Sequence, residues 1–189
     1  GVDAISIDGF EAAGHPGEDD IGGLGLFAAA ARAVKVPLVA SGGIGSGRGM
    51  AAALMLGAEG VNMGTRFCAT KEAPIHDEIK QALLRASETD TTLIFRTLRN
   101  TGRVLKNAVS EEVVATERRP GGCEFEDIRH LVAGARGREA LVEGKVDGGL
   151  VWASQVIGLI EDIPTCAELI ERMVTDCRAA IDNGLKAFS

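Results

Sequence analysis

The sequence has few cysteines, no long hydrophobic run and no excess of positive charge, and each absence excludes a class of protein. Its longest apolar stretches, such as GMAAALMLGA at 49–58, are shorter than the roughly 20 residues of a membrane-spanning helix, and no charged-then-apolar leader begins the chain. Lysine and arginine total 20 against 27 acidic residues, giving a net charge of −7. Because nucleic acids and membrane surfaces attract basic faces, the sequence favours a cytoplasmic protein with a small-molecule partner.

The cysteines fit neither the ligand spacing of a zinc site nor a dense disulfide framework. They are Cys68, Cys123, Cys166 and Cys177. We predict reduced thiols and no bound metal. The 189 residues are 46% hydrophobic, which is enough apolar material for one sizeable core.

The first third of the chain alternates strand-like and helix-like segments. Predicted strands lie at 2–7, 36–40 and 60–65, and predicted helices lie at 24–35 and in the alanine-rich stretch that ends near Gly57. Short connections between alternating strands and helices indicate right-handed βαβ units. The sequence therefore predicts an α/β fold with a parallel sheet.

Residues 68–189 show helical periodicity, including the segment 91–115, and we predict no further clear strand there. A turn is expected within 116–127. Because no Pro/Ser-rich linker separates the two parts, we predict one domain, with βα units in residues 1–67 and a mainly helical region in residues 68–189 packed on them.

Two glycine-containing corners follow the second and third predicted strands. Gly42 and Gly43 come directly after residues 36–40, and Gly64 and Thr65 end the third strand. Ligands of parallel α/β folds bind at the carboxyl ends of the strands, and glycine lets backbone amides approach an anion closely. We predict that both corners bind one phosphate group. A tight strand-to-helix turn is the alternative for the first corner alone.

His15 lies in a loop after the first predicted strand, at the same end of the sheet. Gly14, Pro16 and Gly17 surround it, with little apolar packing to hold a purely structural imidazole. The near-neutral pKa of histidine suits proton transfer or stabilisation of a developing anion. We therefore predict a catalytic role for His15.

Other polar and aromatic residues are assigned mainly structural roles. Residues 18–20 are expected to cap the following helix, Trp152 to pack in the core, and His76 and His130 to lie at the surface, while Gln155 could reach the pocket. Arg48 and Arg66 are left open between a phosphate contact and a structural role. A solvated helix face, or alternatively a nucleotide-phosphate site, is predicted for Arg96, Arg99, Arg103 and Lys106.

Three segments together resemble the nitronate monooxygenases, formerly called 2-nitropropane dioxygenases. They are GFEAAGHPGEDDIGG at 9–23, VASGGIGSGRGMAAALMLGAEGVNMGTRF at 39–67 and GLVWASQVIGLIEDIPT at 149–165. The resemblance implies an FMN-dependent TIM (β/α)8 barrel with an added helical region. It also implies that Gly42, Gly43, Gly64 and Thr65 hold the FMN phosphate, that Ser41 and Met63 lie beside it, and that His15 faces the flavin near the substrate.

One position departs from the family pattern. Many relatives read Glu-Ala-Gly-Gly-His, whereas this chain has Ala13 before Gly14 and His15. The change, with the Pro16-Gly17-Glu18 that follows, is similar to a subgroup that includes NAD(P)H:quinone reductases. Substrate choice therefore stays open between an alkyl nitronate with O2 and NAD(P)H with a quinone.

The resemblance also implies that the chain is the C-terminal portion of a longer enzyme. A complete barrel takes about 250 residues, and three predicted strands cannot close one. Expressed alone, the chain is expected to self-associate and to bind FMN poorly, and a homo-oligomer is a further possibility. A flavin-free phosphate-binding isomerase or synthase and a non-catalytic fragment are the competing functional hypotheses.

Overall fold

The structure is a computed structural model that describes residues 1–188. A three-stranded parallel sheet and its helices form the first part, and a β-hairpin among further helices forms the second. The strands are β1 (Ile5–Asp8), β2 (Leu38–Ser41), β3 (Gly60–Asn62), β4 (Thr91–Ile94) and β5 (Gly102–Leu105). The helices are α1 (Gly23–Ala33), α2 (Gly47–Met55), α3 (Thr65–Cys68), α4 (Asp77–Arg85), α5 (Ala108–Glu117), α6 (Phe125–Val132), α7 (Gly134–Glu143) and α8 (Cys166–Leu185).

The parallel sheet has the order β1–β2–β3, so β2 is its central strand. Leu38 and Ala40 on β2 are buried, whereas β1 and β3 are the sheet edges and are more exposed. The core on this sheet joins α1, α2 and α8 through Phe27, Ala40, Ile44, Ala53, Ala58, Leu169 and Met173. The predicted α/β order of strands and helices in residues 1–67 is confirmed.

The prediction of helix throughout residues 91–107 was wrong. These residues form an antiparallel hairpin in which Thr91 pairs with Leu105 and Ile94 pairs with Gly102. The turn between the strands contains Phe95 and Arg99 at positive φ, a conformation that a continuous helix excludes. The segment mixes Arg and Thr with aliphatic residues, and over so short a run this pattern fits both the helical and the strand period. Packing of the hairpin on α5 decides between the two structures.

Side-chain caps start several helices where the sequence supplies them. Ser46 accepts a hydrogen bond from the Gly49 amide at the start of α2, and Thr165 forms a reciprocal capping box with Glu168 at the start of α8. The predicted turn at 116–127 is confirmed between α5 and α6. No helix within residues 1–188 is long and apolar enough to cross a membrane, and the four cysteines are unpaired thiols.

Helix α8 packs along α2 at very close range. A Cβ added at Gly47 would lie 2.4 Å from the Asp176 Cβ and 2.7 Å from both the Met173 carbonyl oxygen and the Cys177 amide nitrogen. Two of these three atoms belong to the α8 backbone, so they cannot rotate away. Glycine at 47 therefore permits the contact that joins α8 to the sheet layer.

We expect Gly47→Ala to lower the free energy of unfolding by about 1–3 kcal/mol, because the new methyl group must push α8 away. The control is Gly49→Ala in the same helix, where an added Cβ meets ordinary contacts of 3.7 Å or more. That change should stabilise the protein by roughly 0.5–1 kcal/mol through helix propensity. Urea unfolding of the full-length gene product measures both, and equal effects would contradict the packing argument.

Candidate functional site

The carboxyl ends of the three parallel strands lie level with one another. Asp8 pairs with Ser41 and Ser41 pairs with Asn62, so the last residues of β1, β2 and β3 form one row. The loops that leave this row surround a cavity of about 190 Å³, the glycine-corner cavity. Its lining includes all six residues that were predicted to hold the cofactor, namely Ser41, Gly42, Gly43, Met63, Gly64 and Thr65. Polar residues that end strands, Asp8 and Asn62, line it as well and were not predicted.

Gly42 and Gly43 are required by the path of the chain itself. Their φ angles are +71° and +74°, which L-residues with side chains rarely adopt. A Cβ at Gly42 would lie 2.7 Å from the Ala12 Cβ and 2.9 Å from the Gly9 carbonyl oxygen. The first corner is therefore a tight turn packed against residues 9–12, which is the alternative predicted for it from the sequence. This packing requires glycine whether or not a ligand binds beside the turn.

Gly64 differs from the first corner. Its φ is −102°, and an added Cβ would meet no atom within 4 Å. Nothing within residues 1–188 therefore demands glycine at this position. The amides of Gly42, Gly43 and Gly64 donate no hydrogen bond to another described residue, so three N–H groups beside the cavity remain available.

Thr65 links the cavity to the segment that precedes the 3-10 turn Gln155–Leu159. Its Oγ1 accepts a 3.0 Å hydrogen bond from the Ser154 amide, and the Ser154 hydroxyl donates a 2.6 Å hydrogen bond to the Glu11 carbonyl oxygen. Both hydroxyl-bearing residues are buried. Ser154 thus joins the second corner to the His15 loop, a role that the sequence did not reveal.

Glu11 caps helix α1 in place of the acidic cluster of residues 18–20. The Glu11 carboxylate accepts hydrogen bonds of 2.9 and 3.2 Å from the Gly23 amide at the start of α1, whereas the prediction that residues 18–20 cap this helix was wrong. Glu18 instead accepts 2.7 Å hydrogen bonds from the hydroxyl and amide of Thr101, and these hold the pKa of its carboxyl below the usual value. Asp20 pairs with Arg96. The cluster therefore fastens the His15 loop to the hairpin.

His15 is exposed and does not line the glycine-corner cavity. Its ring lies 5.4 Å from the Trp152 ring, centroid to centroid, with the planes tilted by 40°. The preceding residue, Gly14, forms a backbone bridge with Arg103 on β5. Trp152 is 40% exposed, so its predicted place in the core was wrong; it covers Gly102 and faces the imidazole instead. His76 and His130 are exposed, and the His76 ring nitrogen also caps α4.

Arg66 has a structural role, which the sequence left open. Its buried guanidinium donates to the Asp162 carboxylate at 2.6 Å and to the Ala69 carbonyl oxygen. Arg172 binds both oxygens of the same carboxylate, and the hydrogen bond from Arg172 is the main reason that the pKa of Asp162 is lowered. Arg48 is exposed on α2, away from both corners. Within residues 1–188 no cluster of three His, Cys, Asp or Glu side chains is arranged to hold a metal.

Comparisons with known proteins identify the family. A family profile described as nitronate monooxygenase matches residues 1–176. The chain belongs to the nitronate monooxygenase family. The nitronate monooxygenase of Paraburkholderia phytofirmans is 31% identical over 100% of this chain and 52% of its own length. A (3aS,4S,5R,7aS)-5-hydroxy-7a-methyl-1-oxo-octahydro-1H-indene-4-carboxyl-CoA dehydrogenase of Rhodococcus jostii is 31% identical over 96% of this chain and 61% of its own length.

The solved structure of FabK from Thermotoga maritima superposes with a TM-score of 0.91 and 33% identity, covering 100% of this chain and 58% of that one. The chain thus spans about half to three fifths of the relatives that it matches. The predicted fold class is confirmed: the α/β part corresponds to a C-terminal portion of a TIM-barrel fold. Members of the nitronate monooxygenase family are flavin-dependent oxidoreductases.

We expect Asp162→Asn to destabilise the protein by about 1–2 kcal/mol at neutral pH. Breaking a fully buried ion pair lowers the free energy of unfolding by more than this, but Asp162 is partly exposed and solvent screens its charge. Because its pKa is lowered in the folded state, the stabilisation is complete above the ordinary aspartate pKa of about 3.9 and disappears as the pH falls through the folded-state value.

The gap in unfolding free energy between wild type and Asp162→Asn should therefore be constant from neutral pH down to about pH 5 and narrow below that. Urea unfolding at a series of pH values measures it. Asp182→Asn, which removes an exposed carboxylate of α8 outside the ion pairs, is the control and should show no comparable gap. A gap that widens in acid would contradict the assignment.

Proposed function

We propose that this chain forms the phosphate-binding end of an FMN-dependent oxidoreductase that oxidises alkyl nitronates with O2. The observation that carries the proposal is the glycine-corner cavity, where two successive βα corners bring three unpaired amides together. The helical part, residues 68–189, is proposed to pack on the barrel as one domain with it. Ser189, the last residue of that range, lies outside the described residues.

Backbone donors are the natural ligands for a phosphate here, because no lysine or arginine among residues 1–188 lines the cavity. A hydrogen bond to a charged oxygen contributes about 1.5–3 kcal/mol, so the amides of Gly42, Gly43 and Gly64 together can hold a phosphate monoester. In this proposal the Thr65 hydroxyl supplies a further donor. The Asp8 carboxylate would repel an anion. In this proposal it accepts hydrogen bonds from the hydroxyl groups of the cofactor's ribityl chain instead.

Bound FMN would accept the electrons of the substrate, and the chain would position the reactants. His15 is proposed as the base or electrostatic partner that faces the substrate. Hydrogen bonds hold its loop at both sides: Gly14 pairs with Arg103, and the Glu11 carbonyl oxygen accepts from Ser154 and Gln155. The Trp152 ring limits where the imidazole can turn. The exposed ring nitrogens remain accessible to exchange a proton with substrate.

A second candidate is a dehydrogenase that passes hydride between an acyl-CoA substrate and the flavin. The Rhodococcus jostii relative favours it, because a CoA dehydrogenase matches 96% of this chain as well as a nitronate monooxygenase does. NAD(P)H:quinone reduction stays a prediction based on Ala13 and the residues after His15. A flavin-free isomerase or synthase, a non-catalytic role and homo-oligomerisation likewise stay predictions, and a colourless preparation would favour the first two.

We expect Gly64→Ala to weaken FMN binding at least about 10-fold without changing the stability of the apoprotein. The added methyl group meets no protein atom, so the apoprotein should be unaffected. In this proposal the methyl group displaces the phosphate from the Gly64 amide, and the loss of one charged hydrogen bond is worth about that factor. Gly60→Ala at the other end of β3 also adds a methyl group to open space and is the matched control. Fluorescence titration of the full-length apoprotein with FMN measures both, and unchanged affinity for Gly64→Ala would refute the phosphate assignment.

The reaction is tested by anaerobic mixing of the full-length gene product with an alkyl nitronate, an acyl-CoA or NADH. We expect the nitronate to bleach the flavin absorbance. In His15→Asn the rate of bleaching should fall at least about 100-fold, because general-base assistance is lost. The variant should retain its flavin, since His15 does not line the cavity. Bleaching by NADH but not by nitronate would support the reductase, and bleaching by acyl-CoA alone would support the dehydrogenase.

A further inference from the structure

A second cavity, the arginine cavity, lies between the β4–β5 hairpin, α5 and Phe10. Its volume is about 460 Å³, and Arg96, Arg103 and Arg118 line it. Leu93 and Val114 add apolar surface to its wall. The cavity is therefore within the usual size range of small-molecule sites and carries more basic than acidic groups.

Arg103 is a buried cation that forms no ion pair with a described carboxylate, although Glu11 and Asp20 attract it at longer range. The residue is 3% exposed, and its guanidinium donates to the Phe10 carbonyl oxygen and to the Thr91 hydroxyl, both of which are neutral. No described Asp or Glu oxygen lies within 4.0 Å of it. Burial lowers the pKa of Arg103. Buried charges in proteins are normally paired, so this one is a specific attraction for an anion.

A second cation approaches the same ring. The guanidinium carbons of Arg103 and Arg96 lie 4.7 and 5.8 Å from the centroid of the Phe10 ring. Two like charges that converge on one side chain repel each other. Asp20 forms an ion pair with Arg96, whereas Arg103 receives only longer-range attraction from Glu11 and Asp20. Arg118 forms no ion pair with any residue in 1–188. The one acid that lines the cavity, Glu117, uses its oxygens to accept hydrogen bonds from Phe95 and Thr97.

Backbone strain is concentrated around the same place. Within residues 1–188, the non-glycine residues with positive φ are Asp20, Phe95 and Arg99. Asp20 holds Arg96 at the cavity, and the amide of Phe95 is bound by Glu117. Such strain persists where surrounding contacts impose it, and it is common at ligand sites.

We propose that the arginine cavity binds the diphosphate group of a soluble nucleotide, with the base against the apolar wall of Leu93 and Val114. Arg103 and Arg118 supply the charge, and the volume exceeds what phosphate alone needs. Arg103 is bridged by its backbone to Gly14, so the site adjoins the His15 loop. This makes the nucleotide part of a cosubstrate, such as NAD(P)H or a CoA thioester, the fitting class of ligand. The inference does not require the flavin assignment.

The test is calorimetric titration of the full-length gene product, as purified, with pyrophosphate and with ADP at low ionic strength. We expect ADP to bind more tightly than pyrophosphate, and Arg118→Gln to weaken ADP binding about 10-fold through the loss of one charged contact. Arg138→Gln removes the same charge from an exposed position on α7 outside the cavity and should change ADP affinity less than twofold. Asp20→Asn frees Arg96 and should strengthen binding, and asparagine tolerates the positive φ at 20.

Absence of ADP binding, or equal weakening by Arg118→Gln and Arg138→Gln, would overturn the proposal. Pyrophosphate binding as tight as ADP binding would overturn its nucleotide part. Competition of ADP with NADP+ and with CoA then separates the two sources of the diphosphate. Because the readout is binding, a failure here is distinguishable from a failure of the nitronate assay.

Discussion

The hydrogen bonds of Glu11 determine how the site is assembled. Its carboxylate caps α1 at Gly23, and its carbonyl oxygen accepts from the Ser154 hydroxyl and the Gln155 amide. Its side chain also packs against Gly43. One residue therefore connects the His15 loop, the first glycine corner and a segment that is more than 140 positions away in sequence. These bonds act together with the contacts of Gly14, Glu18 and Asp20 to the hairpin, which hold the rest of the loop after β1.

Charge is distributed differently in the two cavities. In the described part of the chain, the glycine-corner cavity is lined by no cationic side chain and offers main-chain amides. The arginine cavity has a buried guanidinium whose hydrogen bonds to described residues go to neutral oxygens. Amides at strand ends bind an anion at short range and keep their geometry because the sheet register positions them. Guanidinium groups act at longer range and attract a mobile ligand. In the two proposals above, the first cavity binds a resident group and the second an exchanging one.

The roles of the arginine residues do not follow from their positions in the sequence. Arg66, adjacent to the second corner, is a natural candidate for a phosphate ligand, yet Asp162 and Arg172 hold it in a structural network. Arg103, which sequence spacing placed on a solvated helix face, is buried in a hairpin. The difference lies in which acids come close in space, and Asp162 is nearly a hundred residues from Arg66.

The sequence by itself determined the alternation of strands and helices in residues 1–67, the family, and the six residues that meet at the glycine corners. These features are local: glycines at positive φ, apolar runs and short connections act within a few residues of one another. Other features were decided only by the tertiary structure: the hairpin at 91–105, the capping of α1 by Glu11, the surface position of Trp152 and the pairing of Arg66. Each depends on contacts between separate elements of the structure, and neither periodicity nor composition carries information about such contacts.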